Sequence, residues 1–216
     1  MQIKVVFENE FIMVVDKPSG VLSVPSRLGE KEERPILGLL LQDQLKIQIY
    51  PIHRLDAEVS GIVMYAKTAE AHRVANLWFE HKLIHKTYCA LTEGKSDLQI
   101  GVENSWKCKL LRGKKRAYES PHGKDSLTLA TLRKKTDTGL LWDLSPVTGR
   151  SHQLRYELYR HGYPILGDTL YNSTQTWTDG IALRSYAIDL EKISPDKRLD
   201  LPVTLQISSF SDNIIG

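Results

Sequence analysis

The sequence contains only two cysteines among its 216 residues, Cys89 and Cys108. Neither belongs to a pair with the short spacing of zinc ligands. A chain with so few cysteines has no disulfide framework, which is typical of proteins in a reducing compartment. The cysteine content therefore excludes the disulfide-rich secreted class, predicts no metal site and favours the cytoplasm.

Long hydrophobic runs are also missing. No apolar stretch approaches the roughly 20 residues that a membrane helix requires, and residues 1–8 alternate in character without the architecture of a signal peptide. With 25% charged and 41% hydrophobic residues the composition is that of a globular protein. We expect one domain over residues 1–216, no membrane association and no accessory domain before the first strand.

Net charge is low as well, only +3, with an isoelectric point near 8.7. The chain is therefore not a strongly basic nucleic-acid binder on average, although one segment is basic. Residues 107–116 carry six cations and no acid: Lys107, Lys109, Arg112, Lys114, Lys115 and Arg116. Such a run is either a solvated loop or a stripe that contacts phosphates. Composition leaves both interpretations open.

Strands outnumber helices in the predicted secondary structure. Short apolar or alternating runs predict strands at residues 3–7, 11–16, 62–66, 88–91, 126–133, 140–144, 181–190 and 202–207. Helical spacing predicts helices at 35–45, 69–82 and 151–161, the last two with Thr68 and Ser151 as N-caps. Most connections are too short for regular βαβ crossovers. The expected fold is α+β, with a mixed, largely antiparallel sheet and flanking helices.

The most informative segment is residues 51–61, which reads PIHRLDAEVSG. It places Asp56 on a loop that leads into an apolar strand, with Arg54 two positions before it. Functional side chains concentrate on loops held by rigid elements. Alone, however, the segment could equally be a surface loop with an Arg–Asp pair.

Three further segments accompany it: VVDKPSGVLSVP at residues 14–25, KTYCAL at 86–91, and TGRSHQLR at 148–155 followed by HGYPILGD at 161–168. In this order and at these spacings the four segments resemble the RluA-type pseudouridine synthases. The resemblance extends from about residue 3 to about residue 207. These enzymes isomerise uridine to pseudouridine in structured RNA, and the chain looks most like the small members without an accessory RNA-binding domain.

The resemblance implies the catalytic residues. Isomerisation breaks the N-glycosidic bond, turns the base and joins C5 to the same sugar carbon, so no cofactor is expected. Asp56 matches the family's catalytic carboxylate, and carboxylates do attack sugar carbons. Arg155 resembles the arginine that pairs with this carboxylate, and Tyr88 matches the tyrosine at the uracil ring. Without the resemblance, Asp56 would be interpreted as a loop salt-bridge residue, Arg155 as a residue on the solvated face of a helix and Tyr88 as a packing residue.

The resemblance also implies a central RNA-binding cleft. Extracting a stacked uridine costs roughly a few kcal/mol, and Arg54 resembles the residue that fills the vacated space. The expected RNA-contacting residues are Arg54, His53, Lys17, Arg150, His152, Gln153, Lys114, Lys115 and Arg116. The family pattern has Thr where this chain has Val59, which bears on substrate identity more than on the reaction.

Two other functions remain open on the sequence. One is a catalytically silent RNA-binding or folding factor on the same scaffold. Such a factor would not need Asp56, Tyr88 and Arg155 together at the positions of the family's catalytic residues. The other is a glycosidase or hydrolase, which needs two acids. Asp168 is the second acid that the matched segments offer, and its context suggests a turn. The expected partner is ribosomal RNA, transfer RNA or both, bound by a monomer at a stem-loop.

Overall fold

The structure is a computed structural model, and it describes residues 2–26, 32–136 and 139–210. The chain divides into two compact units. The first comprises Met1–His85 and Ser185–Ile207, and the second comprises Lys86–Arg184 and Ser208–Gly216. Strand pairing is mostly antiparallel, and an isolated parallel bridge joins Leu22 to Ile36. The predicted fold class, α+β with a mixed, largely antiparallel sheet, is confirmed.

The described residues form eleven strands and three α-helices. The strands are β1 (Lys4–Glu8), β2 (Ile12–Lys17), β3 (Tyr50–Pro51), β4 (Ser60–Ala66), β5 (His85–Thr92), β6 (Glu103–Arg112), β7 (Ala117–Glu119), β8 (Lys124–Thr136), β9 (Gly139–Pro146), β10 (Leu183–Asp189) and β11 (Thr204–Gln206). The helices are α1 (Leu37–Leu45), α2 (Ala69–Glu80) and α3 (Gln153–Arg160).

The sheet of the first unit has the order β1-β2-β4-β10, with β3 paired to β4 and β11 paired to β10. The apolar run of β4 is buried over nearly its whole length, which explains why it carries no polar alternation. Helix α2 packs on this sheet through Ala71, Ala75 and Trp78. Its predicted cap is confirmed, because the Thr68 hydroxyl accepts a hydrogen bond from the Ala71 N–H at 3.1 Å.

The sheet of the second unit has the order β5-β9-β8-β6-β7. Strands β6 and β7, which the sequence analysis did not predict, include or flank the basic run at residues 107–116. Along β6 the side chains of Trp106 and Leu110 are buried, while the intervening Lys107 and Lys109 are exposed. The first two cations of the run thus lie on one face of a strand, whereas Lys114, Lys115 and Arg116 follow it in the connection to β7.

Aromatic rings and helix α3 form the core beside this second sheet. Trp142 is fully buried and lies 5.6 Å from Trp106 and 4.9 Å from Tyr163, measured between ring centroids. Leu154 and Leu158 anchor α3, as their spacing predicted. The same burial turns their neighbour Arg155 away from solvent.

One local prediction was wrong. The N-cap of α3 is His152 rather than Ser151, and His152 has the left-handed backbone conformation with φ 55° and no side-chain capping hydrogen bond. On α2, the adjacent residues Leu77 and Trp78 differ in environment, because Leu77 is 46% exposed and Trp78 is buried. The apolar stripe of a helix is narrow, so neighbouring positions at its edge can face the core or the solvent.

The helices in the described part of the chain are all too short or too polar to span a membrane. Within the same residues, no group of three or more His, Cys, Asp or Glu side chains is placed to hold a metal ion.

Candidate active site

Asp56 lies on a short turn between strands β3 and β4 of the first unit. Its neighbours Leu55 and Ala57 are 5% and 7% exposed, so they anchor the turn in the core while Asp56 stays half-buried. The Asp56 carbonyl accepts a hydrogen bond from the Val59 N–H at 3.2 Å, which closes the turn. The sequence-predicted carboxylate is therefore presented on a fixed loop.

The segment after β2 holds this loop in place through hydrogen bonds. The Gly20 N–H donates to the Ala57 carbonyl at 2.9 Å. The Ser23 hydroxyl both donates to the Leu55 carbonyl at 3.2 Å and accepts from the Leu55 N–H at 3.1 Å. These hydrogen bonds hold the backbone at Leu55 and Ala57, on both sides of Asp56. They give a physical reason for the two segments to occur together.

Lys17, which was expected to contact RNA, also belongs to the side chains that hold this loop. Its side chain is fully buried, and its ammonium donates to the carbonyls of Pro18, Val21 and Ala57 at 2.9, 2.7 and 3.1 Å. All three ammonium hydrogens are thereby used. Burial lowers the Lys17 pKa to about 8, and the negative charges of Glu58 and Asp56 offset part of that shift. A buried cation thus stands within electrostatic reach of Asp56.

The end of the loop requires a glycine. Gly61 has φ +117°, and a Cβ atom there would lie 2.1 Å from the Ser185 carbonyl oxygen. The residue before Ser60, Val59, is 3% exposed. Its apolar side chain is therefore accommodated in the core, and the family's threonine is not needed to hold this loop in the fold.

His53 and Arg54 precede Asp56 and differ in environment. Nε2 of His53 accepts a hydrogen bond from the Met64 N–H at 3.2 Å, so the imidazole is tied to strand β4. Its ring lies 5.3 Å from the ring of Phe79. Arg54 is exposed. The loop therefore presents Arg54 to solvent and keeps His53 as a structural hydrogen-bonding residue.

Tyr88 belongs to the second unit, where it lies on strand β5 opposite Leu144 of β9. It is 7% exposed. The position is compatible with packing as well as with contact to a base.

Arg155 is held by a carboxylate that the sequence interpretation had assigned to a turn. Its Nε and Nη2 atoms donate to Oδ2 and Oδ1 of Asp168, both at 2.7 Å. The side chains are 4% and 1% exposed, so this is a buried, bidentate ion pair. The signal in the sequence was an acid that follows the apolar pair Ile165 and Leu166 after one glycine, but nothing there identified Arg155 as its partner.

The loop that carries Asp168 is itself fixed by a second carboxylate. Glu93, at the end of β5, accepts hydrogen bonds from the N–H groups of Thr174 and Gln175 at 2.7 and 2.9 Å, from the Thr174 hydroxyl at 2.8 Å, and from the Ser173 hydroxyl. These four bonds lower the Glu93 pKa although burial opposes the shift. The carboxylate of Asp168 is consequently aimed at Arg155 by an ordered loop.

Gln153, which was expected to contact RNA, is hydrogen-bonded to the loops around it. It is 3% exposed, and its amide oxygen accepts from the Thr148 hydroxyl at 2.7 Å and from the Arg150 N–H at 3.0 Å. Its amide nitrogen donates to the Leu127 carbonyl and the Thr128 hydroxyl, both at 2.9 Å. All four bonding positions are filled. Gln153 therefore shapes the loop, and Arg150 is half-buried on it.

The predicted cationic cluster lies at the tip of the β6–β7 hairpin. Lys114, Lys115 and Arg116 are all exposed. The Gly113 N–H donates to the Arg116 carbonyl at 3.0 Å and closes the tip. A tight turn thus presents three positive charges to solvent, a geometry suited to phosphate contacts.

Comparison with known proteins adds independent information. The family model described as RNA pseudouridylate synthase matches residues 11–159. The chain is 34% identical over 203 residues to the dual-specificity RNA pseudouridine synthase RluA of Vibrio vulnificus, which covers 89% of this chain and 78% of that protein. It is 32% identical over 182 residues to the tRNA pseudouridine synthase C of Vibrio parahaemolyticus, which covers 78% of this chain and 73% of that protein.

A solved structure also resembles this one. Human RNA Pseudouridylate Synthase Domain Containing 1 superposes with a TM-score of 0.73 over 98% of this chain and 93% of that chain, at 21% identity. At this identity the likeness supports the fold alone.

Proposed function

The chain belongs to the RNA pseudouridylate synthase family, and from that membership we infer that it isomerises specific uridines to pseudouridine in structured RNA. The observation that carries the inference is the fixed loop at Asp56. Backbone hydrogen bonds hold the loop on both sides of the carboxylate, and the buried cation Lys17 lies within electrostatic reach of it.

In the proposed reaction the Asp56 carboxylate is the nucleophile. The ionised carboxylate is the form that attacks a sugar carbon. The buried Lys17 ammonium interacts electrostatically with Asp56 from within the same unit. Tyr88 contacts the uracil ring, and Arg155 pairs with Asp56. The roles of Tyr88 and Arg155 rest on the matched sequence segments, and so does the assignment of all three residues to one uridine.

RNA recognition is assigned to the exposed cations. Lys114, Lys115 and Arg116 would bind phosphates, with Arg150 and His152 contributing where they are half-exposed. Arg54 would fill the space left by the flipped uridine. We further propose a single catalytic domain that acts as a monomer in the cytoplasm, with the RNA in a cleft and the target in a stem-loop of ribosomal or transfer RNA.

The buried pair weakens the hydrolase alternative. A glycosidase needs two carboxyl groups at the scissile bond. Both oxygens of Asp168 are engaged by Arg155, and the carboxylate is 1% exposed. Asp168 is therefore unsuited to protonate a leaving group or to activate water.

The test compares Asp56→Asn with Glu58→Gln, which removes the same charge from the same loop. Each purified variant would be incubated with RNA that lacks the modification, and pseudouridine formation and RNA affinity would be measured. Asp56→Asn should form no product while its affinity stays within a few-fold of the parent's, and Glu58→Gln should retain turnover. A silent RNA-binding factor would bind RNA with no product from any of the three proteins.

A further inference from the structure

Tyr171 contacts two parts of the second unit to which the proposed function gives different roles: Arg155 and the basic hairpin of β6 and β7. It follows Asp168 on the short 3₁₀ turn Thr169–Tyr171 and is 1% exposed. Its ring lies beneath the Arg155 guanidinium, with Cζ 5.4 Å from the ring centroid. Its hydroxyl reaches Ala117, the first residue of β7 after the hairpin tip.

The hydroxyl makes three hydrogen bonds, which use its full capacity. A phenolic oxygen has one proton and two lone pairs. The Ala117 N–H donates to it at 2.8 Å, and its own proton goes to the Ala117 carbonyl at 3.2 Å. Nδ1 of His152 lies 3.1 Å from the same oxygen, within hydrogen-bond distance. The hydroxyl thus links His152 to the first residue of β7.

Burial raises the Tyr171 pKa to about 12, so the phenol keeps its proton well above neutral pH. The ring is then fixed from two sides: by the backbone of Ala117 at its hydroxyl and by its position on the turn after Asp168. The fixed ring packs against the flat face of the Arg155 guanidinium, while Asp168 binds its Nε and Nη2 atoms.

We propose that Tyr171 is a positioning residue, which anchors to the basic hairpin through its hydroxyl and orients Arg155 with its ring. This inference deepens the proposed function and rests on it, since it assigns to Tyr171 the alignment of a residue in that reaction. The two hydrogen bonds from Asp168 fix the position of the guanidinium within its own plane. The stacked ring adds the constraint on tilt out of that plane.

The test is Tyr171→Phe, which keeps the ring and removes the three hydrogen bonds. With single-turnover kinetics at saturating enzyme, we expect a rate roughly tenfold to a hundredfold below the parent's, because small misplacements of catalytic groups have effects of that size. RNA affinity should stay within a few-fold of the parent's, since Lys114, Lys115 and Arg116 remain exposed at the hairpin tip. Tyr159→Phe is the matched control: its ring lies 5.8 Å from that of Tyr171, and its hydroxyl accepts only a 3.4 Å bond from Asn172 at the surface.

A second readout needs no RNA. In protein labelled with ¹⁵N-arginine, the Nε–H signal of Arg155 can be identified by its loss in Arg155→Lys. Hydrogen exchange of this group should be roughly fivefold faster or more in Tyr171→Phe, because the guanidinium opens more often, and unchanged in Tyr159→Phe. If Tyr171→Phe is less stable but keeps the parent's rate and exchange, the residue only packs and the proposal is overturned. A parent protein that makes no pseudouridine would refute the proposed function, and the exchange result would still decide the role of Tyr171.

Discussion

Replacing Asp168 with Asn should destabilise the protein strongly, because it leaves the buried Arg155 guanidinium without this carboxylate. The pair has two bonds of 2.7 Å, and its side chains are 4% and 1% exposed, so solvent cannot replace the lost charge. Removing one partner of such a pair costs about 3–5 kcal/mol. For a chain of 216 residues the unfolding entropy is about 0.45 kcal/mol/K, which converts this loss to a decrease in melting temperature of about 7–11 °C.

The assay is thermal unfolding of Asp168→Asn beside the control Asp43→Asn. Asp43 also pairs with a cation, Lys46 at 2.6 Å, but the two side chains are 81% and 77% exposed. Exposed pairs contribute about 0–1 kcal/mol, so the control should melt within about 2 °C of the parent. If Asp168→Asn also melts there, the buried pair does not contribute as its geometry requires.

The double variant Arg155→Met with Asp168→Leu separates stability from chemistry. Apolar groups of similar size often replace a buried ion pair without loss of stability. We therefore expect a melting temperature near that of the parent together with severe loss of pseudouridine formation. A stable and active double variant would remove Arg155 from the proposed reaction.

Three further predictions concern other parts of the molecule. Replacing Lys114, Lys115 and Arg116 together with Ala should flatten the salt dependence of RNA binding, by roughly 0.7–0.9 log–log unit per lost phosphate contact, with little change in single-turnover rate at saturating enzyme; an unaltered slope would leave the hairpin tip a solvated turn. A short synthetic hairpin that contains the target uridine should be modified with a kcat/KM near that of the full-length RNA, and a requirement for an assembled particle would contradict this. Burial lowers the Lys17 pKa from 10.5 to about 8, so between these pH values the folded chain binds fewer protons at this amine than the unfolded chain. In denaturant titrations the free energy of unfolding of the parent, minus that of Lys17→Met, should therefore increase as pH rises from 8 to 10.5. A difference that stays constant over this range would argue against the pKa shift.

The fold class was predictable from the sequence because its signals are local. The apolar run of β4 and the Thr68 cap of α2 both reflect interactions within a few residues along the chain. Strand β6 was missed because its exposed positions are cationic, and the charge run obscured the alternation of Trp106 and Leu110 with them. The two-residue period was present in the sequence and would have identified the strand.

The arrangement around the candidate site was less predictable. Lysine is seldom fully buried, and no pattern along the chain indicates that three carbonyls converge on Lys17. The Arg155–Asp168 pair is likewise set by how α3 meets the following loop. Sequence motifs indicated the candidate residues, whereas only tertiary packing shows that Lys17 and Gln153 hydrogen-bond to the neighbouring loops. The pairing of Arg155 with Asp56 stays a prediction.

The measurement that tests the central claim most directly is a pseudouridine map of total RNA from cells with the gene, without it, and complemented with either the parent gene or Asp56→Asn. The account predicts that one or more modified uridines disappear when the gene is deleted. The parent gene should restore them, and Asp56→Asn should not, although that variant is expressed and binds the same RNA. A map unchanged by the deletion would contradict the proposed function, and restoration by Asp56→Asn would remove Asp56 as the nucleophile.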